Sequence, residues 1–471
     1  EMVESHPPDG GDFTEDQQWK VDALVLQLQP HPRAEAHRAN VFRYICKLIR
    51  HIVWKEVQDA GGAVDDQDQV QVHRFGSVPL KTYLPHGDLD VTAFAPDDKW
   101  LSKLKETLEA QARLDDAQCV VSGVYSVPHD LNRPAHAEVV KVVKCQIDGI
   151  SVDISANALG GLFSLCLLEK VDHLVGERHL FKRATVLVKA WCYFEARILS
   201  SQNGLLATYA LEALVVCIFN LFRAELVTPL DVLAKFLEYF AQFDWAGCCL
   251  TIRGPVPLKD IKDGCVPELP DGANQDKPTP LLLPNEILES DEQLKTIMRA
   301  PTEDQRQFQW KHLNICDPLD RTNNLGRSVS RGNACRIRRA FLHGSTTLQA
   351  VLKGSSEGGL HSFFLYTMRT LTGHRPDVGD LCITGDLRQG GTSTMSNRST
   401  DLSTMSRSSG GTSEVPSDDD EEQELEARRQ AEGGNTSLNT ALNMLLTQSS
   451  LALASGVVLA VPGVQKAHRS Q

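Results

Sequence analysis

Apolar residues along this chain recur with two different periods. Val21, Leu24, Val25 and Leu28 follow helix spacing, as do Val41, Tyr44, Ile45, Leu48 and Ile52. Residues 1–16, which precede the first stripe, are polar and rich in Pro, Gly and acid, the composition of a loose arm. The pattern changes after Gly61-Gly62. Val70, Val72 and Phe75 lead into Gly76-Ser77, and Val91 and Phe94 mark a second short apolar run. Val139 to Ile154 holds two strand-like runs around Asp148-Gly149, a dipeptide favoured in tight hairpin turns. Helix spacing returns from Leu162 to Tyr239, densest over Leu205 to Phe222, with a further segment from Val232 to Phe243. The prolines of residues 254–285 predict a long loop, and a last ordered unit runs from Phe308 to Leu371. Gly, Ser, Thr and Arg then dominate through Ser417, the acidic run Asp418 to Glu422 follows, and this tail is expected to be disordered. The chain shows no internal repeat. The expected fold is α+β: a disordered arm (1–16), a sheet domain with leading helices (17–160), a mainly helical domain (161–373) and a low-complexity tail (374–471).

Composition narrows the function. The 471 residues, 41% of them hydrophobic, suffice for two domains plus a tail. A net charge of −13 does not suit an autonomous nucleic-acid binder, because phosphate contacts need Lys and Arg. Any RNA partner must meet a local basic patch or be delivered by a basic RNA-binding protein. The 12 cysteines include no CxxC pair, and adjacent Cys248-Cys249 suit neither a zinc ribbon nor an ordinary disulfide. They read as buried thiols of a reducing compartment, hence an intracellular protein of nucleus or cytoplasm. No secretory signal is visible, and the opening Glu1-Met2 suggests a fragment or an incomplete gene model. The apolar stretch Leu451 to Val464, broken by Gly456 and Pro462, is shorter than the ~20 residues of a membrane span. Oligomeric state is not legible.

The chemistry lies in Phe75-Gly76-Ser77, then Asp88-Leu89-Asp90, then Val152-Asp153-Ile154-Ser155. A strand that ends in Gly-Ser and opens a helix offers backbone N–H groups and the Ser77 hydroxyl to a triphosphate, and Gly76 allows close approach. Asp88 and Asp90 are two apart, so on a strand both side chains point to one face. Paired carboxylates are tolerated best around cations, and magnesium prefers such oxygen ligands. Asp153, on a later strand able to run beside the first, would complete a site for two Mg2+ (or Mn2+) ions. Gly-Ser alone carries no information, and Asp-x-Asp alone commonly caps a turn. The ordered set, each piece at a strand end, carries the reading.

On these residues the chain resembles the noncanonical poly(A) polymerase and terminal uridylyltransferase family of polymerase-beta-like nucleotidyltransferases, most closely its plant-type members. The resemblance spans roughly residues 20–370 and implies a palm domain with a mixed sheet and a helical PAP/OAS1 substrate-binding-like domain. It implies that Gly76 and Ser77 bind phosphate and that Asp88, Asp90 and Asp153 are the catalytic metal carboxylates. Further matches imply nucleotide-binding roles. Asn157 follows the third Asp and corresponds to a ribose contact. Lys189, in Leu187-Val188-Lys189-Ala190-Trp191, corresponds to the Lys that meets the triphosphate. Thr208-Tyr209 resembles a Ser-Tyr pair with its hydroxyl near phosphate and its ring on the base. Asp317 to Arg327 resembles the nucleotide-recognition loop, with Asp317, Asn323 and Arg327 as contacts. Leu325 stands where Val is frequent, and Gly-Leu-Leu-Ala at 204–207 departs from the usual Gly-rich run. Uridylyltransferases of the family tend to carry His where Asn323 stands, which favours ATP here.

The residues alone leave other roles open. Lys189 suits a solvated helix face, Tyr209 a core, Asn157 a helix cap and Asn323-Asn324 an ordinary turn. Lys311, Arg321, Arg327, Arg331, Arg336, Arg338 and Arg339 form either a solvated face or a positive rim for RNA, for which the acidic tail would compete. The expected activity is template-independent addition of AMP from ATP to an RNA 3′ end, a polynucleotide adenylyltransferase-like reaction. The alternatives are uridylyl transfer on the same scaffold and an inactive RNA- or partner-binding relative.

Overall fold

A computed structural model describes residues 14–59, 70–95, 99–114, 119–126, 142–262, 264–267, 307–356 and 358–373. The arm before Thr14, residues 268–306, and the tail with its acidic and apolar runs lie outside them.

Helix α1 (Glu15–Leu28) opens on a reciprocal cap: the Thr14 hydroxyl accepts from the Gln17 N–H, and the Gln17 side chain accepts from the Thr14 N–H. Its stripe Val21, Leu24, Val25 and Leu28 is buried in the core of the helical region. Helix α2 (Pro32–Asp59) instead lays Val41, Ile45, Ile49, Ile52 and Val53 against the sheet.

The sheet has five strands: β1 (Gln71–Phe75), β2 (Leu89–Phe94), β3 (Val121–Ser126), β4 (Val142–Ile147) and β5 (Ile150–Ala156). Their order is β1-β2-β5-β4-β3. Only β2 and β5 pair in parallel; the other neighbours are antiparallel. The one-turn helix α3 (Ser77–Leu80) follows β1. The β4–β5 hairpin turns on Asp148 (φ 50°) and Gly149 (φ 77°), both left-handed, as a two-residue primed turn requires. Helix α4 (Lys99–Gln111), absent from the sequence reading, buries Trp100, Leu101, Leu104 and Leu108 beneath the sheet.

The helical region comprises α5 (Leu159–Val175), α6 (Leu180–Ala190), α7 (Thr208–Phe222), α8 (Pro229–Gln242), α9 (Arg331–Leu352), α10 (Gly359–Phe363) and α11 (Leu365–Gly373). A wider π-type turn, Trp191–Glu195, extends α6. Every residue of α7 from Ala210 to Asn220 is buried, so it is the central helix.

One expectation is corrected. The proline-rich stretch from 254 does not begin as a loop: β6 (Cys248–Thr251) and β7 (Gly254–Pro257) form an antiparallel hairpin. Pro255 and Pro257 sit on β7, while β6 is bridged on its far side to Ile315 through Leu250, so the prolines lie on the outer strand, where a missing N–H is tolerated. Buried Cys249 packs with Val256, Val266, Phe308 and Cys316 in a small core, and the cysteines of the described residues are free thiols. Among the described residues no helix is long and apolar enough to cross a membrane.

Candidate active site

The parallel pairing of β2 with β5 sets the site. Its register places Asp90 beside Asp153, and residues paired in register share a sheet face. Asp88 lies two residues before Asp90, just ahead of β2. Arg38 of α2 positions that approach. Its guanidinium donates to the carbonyls of Pro85 (3.1 Å) and Gly87 (3.0 Å) and stacks over the Tyr83 ring.

Gly76 joins β1 to α3 at φ 72°, ψ −150°, a region essentially reserved for glycine. A Cβ there would stand 2.5 Å from Asp90 Oδ2. The glycine is therefore what lets the Asp90 carboxylate lie against the β1–α3 turn, with Ser77 the first residue of that turn. A single helical turn contributes little dipole, so an anion at Gly76-Ser77 would meet local donors rather than the field of a long helix.

Like charge dominates the cluster. Burial first, then Asp153 and Asp88, push the Asp90 carboxyl up to about 7. Asp88 is also raised, by desolvation and then by Asp153, while its surface stays well exposed to water. Two ammonium groups answer them. Lys144 of β4 pairs across the strand with Asp153, and its Nζ contacts Asp153 Oδ2. Lys189 of α6 is 6% exposed, and its Nζ donates to the Thr82 carbonyl at 3.3 Å. The solvated-face role for Lys189 is thereby overturned: burial lowers its pKa, while Glu212, Asp90 and Asp88 raise it. Glu212 of α7 is itself buried and is pushed up to about 7 by desolvation, against the pull of Lys189.

A second set of residues forms a chain of hydrogen bonds. Tyr209, in the first turn of α7, donates from its hydroxyl to Asp317 Oδ1 at 3.1 Å. Asp317 Oδ1 also accepts from the Leu319 N–H at 2.9 Å, and Oδ2 from Asn323 Nδ2 at 2.8 Å. Asn323 Oδ1 accepts from the Arg327 guanidinium at 2.6 Å. Thr208 begins α7 one residue from this chain. Asn324 serves the scaffold: its amide bonds Ile315, Gly326, Gln309 and Asn314 inside the loop, and it is 1% exposed. Asn157 does not cap α5, whose N-cap is Ala158. It sits at φ 52° beyond β5, with its N–H donating to Ala93 O (3.0 Å) and its Oδ1 accepting from the Ala95 N–H (3.3 Å).

The structure thus gathers Gly76, Asp88, Asp90, Asp153 and Lys189 in one cluster, and Tyr209, Asp317, Asn323 and Arg327 in another. Glu212 connects them electrostatically, since its charge is felt by both Lys189 and Tyr209. Sequence reasoning missed Lys144 and Glu212. The first was available from the hairpin, because Lys144 and Asp153 are equidistant from Asp148-Gly149. The second is a lone acid within the most apolar run of the chain, a place where an acid is rarely buried without a partner.

Residues 175–368 match the family of the PAP/OAS1 substrate-binding domain. No curated protein sequence matches the chain. Among solved structures, a cytoplasmic RNA terminal U-transferase aligns at 16% identity and TM-score 0.49, covering 74% of this chain and 98% of that one. Cid1 in complex with the UTP analogue UMPNPP aligns at 14% identity and TM-score 0.48 over the same shares. Residues 175–368, the stretch similar to the PAP/OAS1 substrate-binding domain, follow a mixed sheet that brings Asp88, Asp90 and Asp153 together.

Proposed function

We propose that this protein is a template-independent nucleotidyltransferase that adds AMP from ATP to the 3′ end of an RNA. The observation that carries the reading is the register of Asp90 with Asp153 on adjacent parallel strands, with Asp88 two residues ahead and Gly76-Ser77 against Asp90. Three carboxylates packed this closely favour nearby cations, a reading supported by the raised Asp88 and Asp90 and the ammonium on Asp153. Among the described residues no three His, Cys, Asp or Glu side chains already stand in ligand geometry, and Asp153 is engaged by Lys144. The donor set is nevertheless of the all-oxygen type that Mg2+ or Mn2+ takes. Asp88, Asp90 and Asp153 would hold the ions, which would supply activation of the RNA 3′-hydroxyl and charge stabilisation for the departing pyrophosphate.

The chain's own groups supply the rest. Ser77 and the backbone after Gly76 take phosphate oxygens, Lys189 contributes buried positive charge beside the carboxylates, and Asn157 meets the ribose. The Tyr209 ring, oriented through Asp317, stacks on the base, with Thr208 close by. Asn323 and Arg327 present the recognition edge. Positioning and charge neutralisation drive the in-line attack. The net charge of −13 favours RNA delivery by a basic partner, with Arg331, Arg338 and Arg339 of α9, all exposed, as a local rim.

Incorporation assays with labelled ATP, UTP, CTP and GTP on an RNA primer test the proposal. The expected result is Mg2+-dependent transfer with ATP preferred, abolished in Asp88→Ala and Asp153→Ala with the fold retained. A UTP preference would replace adenylyl by uridylyl transfer, and near-wild-type activity of either variant would remove the metal-carboxylate assignment.

A further inference from the structure

We propose that Lys144 is a built-in counter-ion that competes with the divalent cation for Asp153, so that metal binding there requires the ammonium to leave the carboxylate. The inference rests on the assignment of Asp153 as a metal ligand.

The sheet register carries it. Asp90, Asp153 and Lys144 are successive in-register partners across β2, β5 and β4, and therefore project from one face in a row. Lys144 Nζ contacts Asp153 Oδ2, the same kind of oxygen a hard divalent ion takes. Both side chains are largely sheltered, 17% and 23% exposed, so water screens their attraction poorly. The ammonium reaches beyond its own partner, since Asp88 and Asp90 feel its charge too. A cation entering the cluster must therefore compete with a positive charge already seated on one of its ligands.

The two lysines of the cluster differ in their freedom to move. Lys189 is buried, at 6% exposure, and bonded to the Thr82 carbonyl, so it stays. Lys144 has β3 on its other side, where its register partner is Tyr125, a side chain about half exposed (51%). Its flexible four-carbon stem can carry the ammonium along the sheet face toward that edge while the backbone pairing is kept. The displaced charge then remains close by, at the edge of the cluster.

The test uses the full chain with Mn2+ as the probe. Mn2+ binding, read by electron paramagnetic resonance, should tighten roughly tenfold in Lys144→Met, where the competing charge is gone. Lys144→Arg, which keeps the ion pair, should bind no more tightly than wild type. In wild type, acylation of Lys144 by an amine reagent, followed by mass spectrometry, should rise as Mn2+ is titrated in. Equal or weaker Mn2+ binding by Lys144→Met overturns the proposal. So does Lys144 acylation that stays flat where Mn2+ saturates, and this arm needs no variant to fold. Asp153→Asn separates the two layers. If Mn2+ binding survives that substitution unchanged, the metal assignment of Asp153 falls and takes this proposal with it, whereas the Lys144 outcomes overturn this proposal alone.

Discussion

The hydroxyl of Tyr209 donates to Asp317 Oδ1 at 3.1 Å, tying the first turn of the central helix to a loop that lies beyond the β6–β7 hairpin. The bond fixes the ring rather than the chain ends, because Asp317 is held independently by the Leu319 N–H and the Asn323 amide. Burial raises the Tyr209 phenol far above its usual range, so the group is a donor at any working pH.

Tyr209→Phe keeps the ring and removes the donor. It is expected to cost about 1 kcal/mol of stability, the net worth of one hydrogen bond. KM for the nucleotide should rise a few-fold with kcat nearly unchanged. Tyr209→Ala removes the stacking surface as well and should raise KM much further. Steady-state kinetics and thermal melts check both. A Phe variant as impaired as the Ala variant would mean that the bond, and not the ring, is what the nucleotide uses.

Gly76→Ala meets two obstacles at one position. The backbone there is in a region that costs a side-chain-bearing residue about 1–3 kcal/mol. The new Cβ would also stand 2.5 Å from Asp90 Oδ2 and displace a carboxylate of the cluster. The expected outcome is a lower Tm together with loss of incorporation. Gly332→Ala is the control. Gly332 lies in the first turn of α9 with nothing near its added Cβ, so stability should stay level or rise slightly and activity should persist.

The sequence made the Gly76–Asp90–Asp153 relationship readable because Gly76 ends one apolar run, Asp90 opens the next, and Asp153 lies between Val152 and Ile154 within a third. The Asp148-Gly149 turn then fixes which residues of β4 and β5 face one another. It did not make β3 readable, since Val121 is its one buried residue and alternation is lost. Nor did it show that α1 belongs to the helical core: a stripe of four apolar residues says that a face is buried, not against what. The β6–β7 hairpin was obscured by its own prolines, which mark a loop in the chain interior yet sit without penalty on the outer strand. Lys189 looked solvated because periodicity cannot see Glu212, the distant partner that makes its burial tolerable.

Glu212 should make stability pH-dependent. Its folded-state pKa is about 7 against an ordinary 4.5, so the folded chain holds a proton that the unfolded chain releases in between. Its contribution is fully present below 4.5 and is lost as pH rises through 7. Asp90, also pushed up to about 7, acts in the same direction. Melts of the wild type in chelator-containing buffer should therefore show Tm falling across this window, and Glu212→Gln should flatten part of the slope while Asp90 maintains the rest. A Tm that climbs through the window, or an unchanged slope in Glu212→Gln, would contradict the burial of an acid in α7.

On the proposed reading, base choice is expected to turn on Asn323. Its amide is engaged at both ends, donating to Asp317 Oδ2 at 2.8 Å and accepting from Arg327 at 2.6 Å. Asn323 thus sets the position of the Arg327 guanidinium and links it, through Asp317, to the ring of Tyr209. A neutral imidazole at this position has one donor and one acceptor and can preserve one or both contacts, but it is bulkier and narrows the space beside the ring. Uracil presents a carbonyl acceptor where adenine presents an amine donor, and it is the smaller base. If the shorter Asn323 leaves room for a purine, Asn323→His should shift preference toward UTP. A single such contact discriminates by about 1–3 kcal/mol, roughly tenfold to a few hundredfold in the ratio of kcat/KM for UTP over ATP. The measurement is that ratio in wild type and variant on one RNA primer. A wild type that already prefers UTP, or a ratio that Asn323→His leaves in place, would move the base pocket away from Asn323. A variant that loses both activities equally would show that the contacts of Asn323 to Asp317 and Arg327 orient the loop as a whole and do not read the base.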